Sequence, residues 1–95
     1  MKAITFDSVQ AFRNNETRSF GNTRVEANNG VTKLYLFDNL IAMKENGVVR
    51  VSNAGWSSRT TKERLNGLSG VNIHQKNFVW YLNGEEWDGD WKEVR

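Results

Sequence analysis

Five carboxylates crowd the C-terminal segment of the chain, within the nine residues from 85 to 93: Glu85, Glu86, Asp88, Asp90 and Glu93. Mg²⁺ and Ca²⁺ prefer oxygen ligands, so this cluster is where the sequence could support metal chemistry. On a strand, Glu86, Asp88 and Asp90 would share one face, opposite buried Trp87 and Trp91. The spacing does not match the twelve-residue loop of an EF-hand. Because charge runs are most often solvated, we predict an acidic surface without a metal or cofactor.

Residues for nucleophilic or acid–base catalysis are few. His74 is the single histidine, and the chain contains no cysteine. A hydroxyl nucleophile needs a base within hydrogen-bond reach, and the four hydroxyls between residues 57 and 61 fit helix capping instead. His74 alternates with Ile73 on an expected strand, which favours a solvent-facing imidazole. With no phosphate loop, nucleotide fingerprint or triad motif, we predict that the protein is not an enzyme.

Positive charge is concentrated in residues 49–76. This segment has a net charge of +4, whereas residues 1–48 carry +1 and residues 77–95 carry −3. Its basic residues are Arg50, Arg59, Lys62, Arg64 and Lys76. A basic surface attracts anionic partners such as nucleic acids or acidic proteins, so we take these five as candidate binding residues.

The stretch SRTTKERLNG, residues 58–67, resembles the recognition helix of lac-repressor-type helix-turn-helix proteins. A following hairpin is similar to a winged-helix arrangement. Such helices place their first turn in the DNA major groove. The motif needs another helix directly upstream, but the valines of GVVRVSNAGW, residues 47–56, favour a strand there. Structural closure of a small domain is therefore the preferred interpretation.

Aromatic and basic residues together suggest a second way to bind nucleic acid. A sheet face could carry five such side chains: Lys33, Tyr35, Phe37, Arg50 and Trp80. Bases stack on aromatic rings while Lys and Arg meet phosphates, as in single-strand binding proteins. The alternative is that these aromatic rings form the hydrophobic core.

Four Asn-Gly pairs punctuate the chain, at 29–30, 46–47, 66–67 and 83–84. Both residue types tolerate positive φ, which tight hairpin turns and helix ends require. The segments between the pairs alternate in polarity or are rich in residues typical of strands. They predict strands at 24–27, 31–37, 39–45, 48–53, 71–77 and 78–82.

A short helix is predicted at 60–66. Thr60 and Glu63 have the spacing of a capping box, and Gly67 suits the left-handed residue that ends a helix. Leu65 and Leu68 are its expected buried anchors. Trp56, just upstream, is expected to pack where the chain enters this helix.

The N-terminal stretch FDSVQAFRNN, residues 6–15, predicts a second helix, capped by Asp7 or Ser8, with Val9 and Phe12 on one face. Together these elements predict a single α+β domain over residues 1–95. Its antiparallel sheet would have about five or six strands, a meander followed by a C-terminal hairpin.

The composition fits a reducing, aqueous compartment. No apolar run approaches the roughly 20 residues of a membrane span, and the N-terminus lacks the features of a signal peptide. The absence of cysteine fits a cytoplasmic location. We therefore expect a cytoplasmic protein with no membrane partner.

Two stretches, AGWSSRTTKERLNGL (54–68) and GVNIHQKNFVWYLNGEEWDGDW (70–91), resemble small proteins encoded by tailed bacteriophages. The resemblance covers about residues 35–94. It implies the cytoplasm of an infected bacterium but transfers no specific activity. Phage proteins of this size often act by binding, which implies a host protein or nucleoprotein complex of the nucleic-acid or defence machinery as partner. The alternative is direct binding of DNA or RNA.

Overall fold

The computed structural model of the protein describes residues 2–56 and 58–94. Within these ranges the chain forms two helices and nine strands. In chain order they are α1 (Ala3–Arg13), β1 (Arg18–Phe20), β2 (Thr23–Asn28), β3 (Val31–Leu36), β4 (Asn39–Glu45), β5 (Val48–Val51), α2 (Arg59–Leu65), β6 (Ile73–Lys76), β7 (Val79–Leu82), β8 (Glu85–Glu86) and β9 (Lys92–Val94). The α+β class predicted from the sequence is confirmed.

The larger sheet contains six antiparallel strands in the order β1-β2-β3-β4-β5-β9. Strands β2 to β5 form the predicted meander, with positive φ at both residues of the Asn29-Gly30 and Asn46-Gly47 turns. Strand β9 joins from the C-terminal segment and places Val94 opposite Val49 of β5. The sequence predicted neither β1 nor β9, because three residues are too few to display a period of two.

The hairpin predicted over 71–82 forms, but it does not extend the large sheet. Its strands β6 and β7 combine with β8 in a separate three-stranded sheet. The side chain of Asn66, which ends α2, donates to the Ile73 carbonyl at 2.9 Å and accepts from the Ile73 amide at 2.6 Å. These two bonds attach β6 to the end of the helix, and the edge of β5 is occupied by β9 instead.

Both helices contact the large sheet: α1 lies against β1 to β3 and α2 against β4. In strand β3, alternate residues lie on opposite faces of the large sheet. Thr32, Leu34 and Leu36 are buried, whereas Lys33 and Tyr35 between them are half-buried on the other face. The alternation seen in the sequence therefore separates the core side of the sheet from a side that the helices leave open.

The start of α2 differs from the prediction by one residue and uses another cap. Its N-cap is Ser58, whose Oγ accepts a hydrogen bond from the Thr61 amide at 3.1 Å. The capping box predicted for Thr60 and Glu63 is wrong. Glu63 turns toward α1, where it accepts a hydrogen bond from the Thr5 hydroxyl, so a partner distant in sequence replaces the local one.

The first helix also begins earlier than predicted. Lys2, in extended conformation, is its N-cap and contributes no side-chain cap. The prediction that Asp7 or Ser8 caps this helix is wrong, because both lie inside it. The predicted apolar face is confirmed: Val9 and Phe12 are buried.

The ammonium group of Lys44 on β4 donates hydrogen bonds to carbonyl groups at the C-terminal end of α1. Its Nζ donates to the carbonyl oxygens of Phe12 at 2.9 Å and Arg13 at 3.0 Å. Burial lowers the pKa of Lys44, and the positive charge of Arg13 lowers it further. The ammonium nevertheless lies at the negative end of the helix dipole, which favours its charged form.

Gly67 closes the contact between the two helices and does not adopt the left-handed conformation predicted for it. A Cβ at this position would lie 2.7 Å from Thr5 Cγ2 and 2.8 Å from Val9 Cγ2. Both distances are shorter than any normal carbon–carbon contact, so α1 approaches as closely as glycine permits. Leu65 and Leu68 on either side are buried, as predicted.

Replacing Gly67 by Ala is expected to lower the free energy of unfolding by about 1–3 kcal/mol, because the added methyl group overpacks the helix contact. Urea denaturation followed by circular dichroism measures this change. In a Thr5→Ser/Val9→Ala background the two clashing methyl groups are gone, so the same substitution should cost clearly less. Equal costs in both backgrounds would contradict the packing explanation.

Candidate interaction surface

The five predicted basic residues do not form one patch. Arg50 lies on β5 between Val49 and Val51, which contact the core, so its side chain is on the open face of the large sheet. There it stands opposite Glu93 of β9, with 3.9 Å between Arg50 Nη2 and Glu93 Oε1. Arg50 is thus paired with a carboxylate on the face that the helices leave open.

Arg64 is buried, with 3% of its surface exposed. Its Nε donates to Thr23 Oγ1 at 3.0 Å, and its Nη1 donates to Thr5 Oγ1 at 2.7 Å and to Glu63 Oε1 at 2.6 Å. The guanidinium therefore joins α2 to α1 and β2. The expectation that Arg64 belongs to an exposed binding surface is wrong. Its spacing from the buried Leu65 and Leu68 is the sequence signal that places it on the inner side of the helix.

Glu63 completes this junction. Partial burial opposes its ionisation, but the hydrogen bond from Thr5 and the neighbouring Arg64 guanidinium outweigh that effect and hold the pKa of Glu63 below its usual value. The carboxylate is therefore charged at neutral pH and accepts from both partners. This ion pair lies at the helix contact, and it is not available to a ligand.

Three of the predicted cations remain accessible. Arg59 and Lys76 are exposed, and Lys62 is half-buried with its Nζ 5.8 Å from the centre of the Trp80 ring. In the part of the chain that the structure describes, none of these three has a carboxylate within ion-pair distance. They are the cations whose charge is free to meet an anionic partner.

The hairpin of β6 and β7 runs alongside α2. Ile73 is bonded to Asn66 at the end of the helix, and Trp80, two residues further along the hairpin, lies beside Lys62, one turn back. Two residues of a strand and four residues of a helix both span about 6 Å. The two contacts are therefore consistent with a hairpin that lies parallel to the axis of α2. The tip of the hairpin therefore points toward the end of the molecule at which α2 begins.

Phe78 occupies that tip and is 94% exposed. The turn consists of Asn77 with φ 52° and Phe78 with φ 68°. Asn and Gly are the usual residues there, and a bulky side chain at positive φ is a genuine outlier. The fold thus displays a large apolar ring to solvent in a strained turn, next to Lys76. We refer to Phe78 together with Arg59, Lys62 and Lys76 as the hairpin–helix surface.

A second strained turn presents another exposed phenylalanine. Phe37 (φ 50°) and Asp38 (φ 64°) connect β3 to β4, and Phe37 is 64% exposed. Its ring borders a cleft of about 330 Å³ together with Trp56, Thr60 and Ile41. Trp56 is 62% exposed, so the expectation that it packs at the start of α2 is wrong. The sequence reasoning missed this cleft because its walls come from separate loops.

A family model described as Kyanoviridae Gp96 protein matches residues 1–94. The chain belongs to this phage protein family. The match extends the phage relationship expected for residues 35–94 across nearly the whole chain. No curated protein and no solved structure matched it. Among the described residues of this Gp96-family protein, no helix has the length and apolar character needed to cross a membrane.

Within the described residues of the Gp96-family chain, neither nucleic-acid motif suggested by the sequence forms. Strand β5, and not a helix, precedes α2, so the helix-turn-helix arrangement is absent from the described residues. The aromatic platform is also wrong: Trp80 is buried in the small sheet, and the Arg24 guanidinium covers the Tyr35 ring at 4.1 Å. Lys33 and Arg50 do share the open face of the large sheet, with Met43 between them.

Aspartate side chains of the acidic segment accept hydrogen bonds from backbone amides of the same segment. Asp88 Oδ1 accepts from the Asp90 amide at 2.9 Å, and Asp90 Oδ1 accepts from the Trp91 amide at 2.8 Å. Because β8 ends at Glu86, the predicted one-faced strand is wrong, and Trp91 is 41% exposed. Within residues 2–56 and 58–94, no group of three histidine, cysteine or acidic side chains could hold a metal ion.

His74 is exposed, as predicted, and stacks on Tyr81 with 5.1 Å between ring centres. The two rings lie on the face of the small sheet opposite buried Trp80. The stacking gives the imidazole a packing role on the hairpin.

Replacing Arg64 by Ala is expected to lower the free energy of unfolding by about 3 kcal/mol or more, because the substitution leaves the Glu63 carboxylate and two threonine hydroxyls without their shared donor. Arg59→Ala is the matched control on the same helix and should change stability by less than about 0.5 kcal/mol. Urea denaturation of both variants makes the comparison. Equal losses would show that Arg64 is not the structural residue of the pair.

Glu63 should make stability depend on pH. Its pKa is lower in the folded protein than in the unfolded chain, so its contribution is complete above about pH 4.3 and is lost as the pH falls through the folded value. Glu63→Gln removes this proton uptake. The wild-type protein should therefore lose more stability between pH 7 and pH 3 than the variant, measured by urea denaturation at each pH. Parallel losses would contradict the assignment.

Proposed function

We propose that this Gp96-family protein is a non-enzymatic binding protein that occludes a macromolecule of the bacterial host. The proposed target is a protein or nucleoprotein complex of the host nucleic-acid machinery or of a defence system, met in the host cytoplasm. Contact is made through the hairpin–helix surface. Of the five basic residues predicted from the sequence, Arg59, Lys62 and Lys76 take part, whereas the buried Arg64 and the Glu93-paired Arg50 do not.

The observation that carries the proposal is the exposed ring of Phe78. An aromatic ring that is fully exposed on the free protein can serve as an anchor when a partner's pocket buries it. Here the ring is held in a turn that costs conformational strain, and no contact within the described chain compensates for the exposure. The three unpaired cations on α2 and on the hairpin favour a partner whose pocket is rimmed by carboxylates.

The partner test uses affinity capture from a lysate of the host bacterium, followed by measurement of the purified pair. Phe78→Asn should weaken the captured complex by at least about thirtyfold, because it removes the anchor ring. Asn suits the positive φ of the turn, so the fold should be unchanged. Phe6→Ala, which removes a ring that is 52% exposed on α1, is the control and should bind normally. Equal binding by all three proteins would refute the anchor role.

The three unpaired cations also favour a second candidate, direct binding of DNA or RNA. That function predicts affinity that falls steeply with salt, by about 0.7–0.9 log units per phosphate contact for each log unit of salt. An Arg59→Ala/Lys62→Ala/Lys76→Ala variant should then lose binding and reduce the slope, in titrations with single- and double-stranded oligonucleotides. Absence of binding at low salt would leave only the protein target.

A further inference from the structure

We propose that the cleft between Phe37 and Trp56 is a binding site for a nucleobase, carried either by a free nucleotide or by a single nucleic-acid strand. The cleft lies beside the start of α2 and has a volume of about 330 Å³, near the lower end of sites for small molecules. It does not include the Phe78 anchor. Arg59 of the hairpin–helix surface lies beside it, so the two sites are distinguished by removing the Phe37 ring and the Phe78 ring separately.

The backbone that carries each of the two wall residues, Phe37 and Trp56, is held by hydrogen bonds within the chain. The amide of Phe37 donates to the Asn22 carbonyl at 2.8 Å, and the next residue, Asp38, forms an ion pair with Arg24. These contacts hold the turn although both of its residues have positive φ. An aromatic residue on a fixed backbone loses less freedom on stacking than one on a flexible loop, which suits a platform for a base.

Hydrogen bonds also hold the backbone of residues 53–56, which carries Trp56. The Trp56 amide donates to the Asn53 carbonyl at 2.8 Å, and Asn53 Oδ1 accepts from the Gly55 amide at 2.8 Å. Beneath the loop, the carbonyl of Gly89 accepts from the Asn53 amide at 2.9 Å, and a Cβ at Gly89 would overlap the Asn53 side chain. The C-terminal acidic segment therefore supports the second wall of the cleft.

A base has an apolar ring face and a polar edge, and the cleft offers a surface for each. Leu36 and Ile41, which are 3% and 1% exposed, form an apolar floor suited to a flat ring. At the edge, Thr60 Oγ1 has no hydrogen-bond partner among residues 2–56 and 58–94, and Asn39 uses its Nδ2 on the Phe37 carbonyl, which leaves Oδ1 as an acceptor. A hydroxyl and an amide oxygen can together meet the donors and acceptors of a base edge.

Charge favours an anionic ligand over an uncharged ring. No acidic side chain lines the cleft. Arg59, between the lining residues Ser58 and Thr60, is exposed and has no ion-pair partner in the described ranges. A base between the two rings would place its sugar and phosphate outside the cleft, where this guanidinium can meet them.

Isothermal titration calorimetry tests the site with adenosine and uridine 5′-monophosphates as probes. Inorganic phosphate, ribose 5-phosphate and N-acetyl-tryptophanamide are the comparison ligands, and a pentanucleotide is the single-strand probe. The nucleotides should bind, and the two phosphate compounds without a base should not. Binding of inorganic phosphate as tight as that of the nucleotides would overturn base recognition. Binding of the tryptophan amide alone would overturn it in favour of a protein side chain.

Matched variants locate the binding. Phe37→Asn and Phe78→Asn make the same change in two turns with the same backbone conformation, but only Phe37 borders the cleft. Phe37→Asn and Trp56→Ala should each weaken nucleotide binding by at least about tenfold, Thr60→Val less, and Phe78→Asn not at all. Loss of binding in Phe78→Asn, or full binding in Phe37→Asn with its urea midpoint unchanged, would overturn the assignment.

Comparison of the pentanucleotide with the mononucleotides distinguishes a site for a free nucleotide from a site for a single nucleic-acid strand. A free-nucleotide site binds the mononucleotide and the strand equally, with little dependence on salt. A strand site binds the pentanucleotide more tightly and with a steep salt dependence that Arg59→Ala reduces. Both results support base recognition. Failure of every probe at millimolar concentration would remove the site and leave the partner contact of Phe78 untouched.

Discussion

The guanidinium of Arg64 lies where α1, α2 and β2 meet, and the rest of the molecule is arranged around its charge. Thr5, Thr23 and Glu63 each give it an oxygen, and a buried cation is tolerated only when its donors are satisfied in this way. No buried side-chain nitrogen or oxygen within residues 2–56 and 58–94 lacks a hydrogen-bond partner. Because these bonds fix the position of α2, they also fix what the helix carries: the hairpin at its end and the cleft at its beginning.

Patterns that depend on neighbouring residues predicted much of this fold. Alternation located the meander, and Asn-Gly pairs located two of its turns and the turn after β7. The contact at Gly67 could not be predicted, because a glycine after a helix is usually a left-handed end and its true reason, the approach of α1, lies about sixty residues away. The same holds for Glu63, whose capping spacing is local but whose partner, Thr5, is not.

The candidate sites were less predictable than the fold. The distribution of charge along the sequence identifies five basic residues but does not show which way each side chain points. A buried arginine was therefore grouped with exposed cations. The exposed turn positions of Phe37 and Phe78 were not predicted, because asparagine or glycine is expected there and each phenylalanine looked like part of a strand. A residue that breaks a local rule at an exposed position is informative, since the strain it brings is retained without a visible structural benefit.

The pairing of β9 with β5 has a consequence for synthesis of the protein on the ribosome. Strands β2 to β5 and the small sheet are joined by short connections and can form as soon as they emerge. The edge of β5 has no partner until Lys92–Val94 have been made, so its hydrogen-bonding groups are open during that interval. An open edge is a template for pairing with other chains. A nascent chain that contains β5 but not yet β9 is therefore open to intermolecular pairing along this edge.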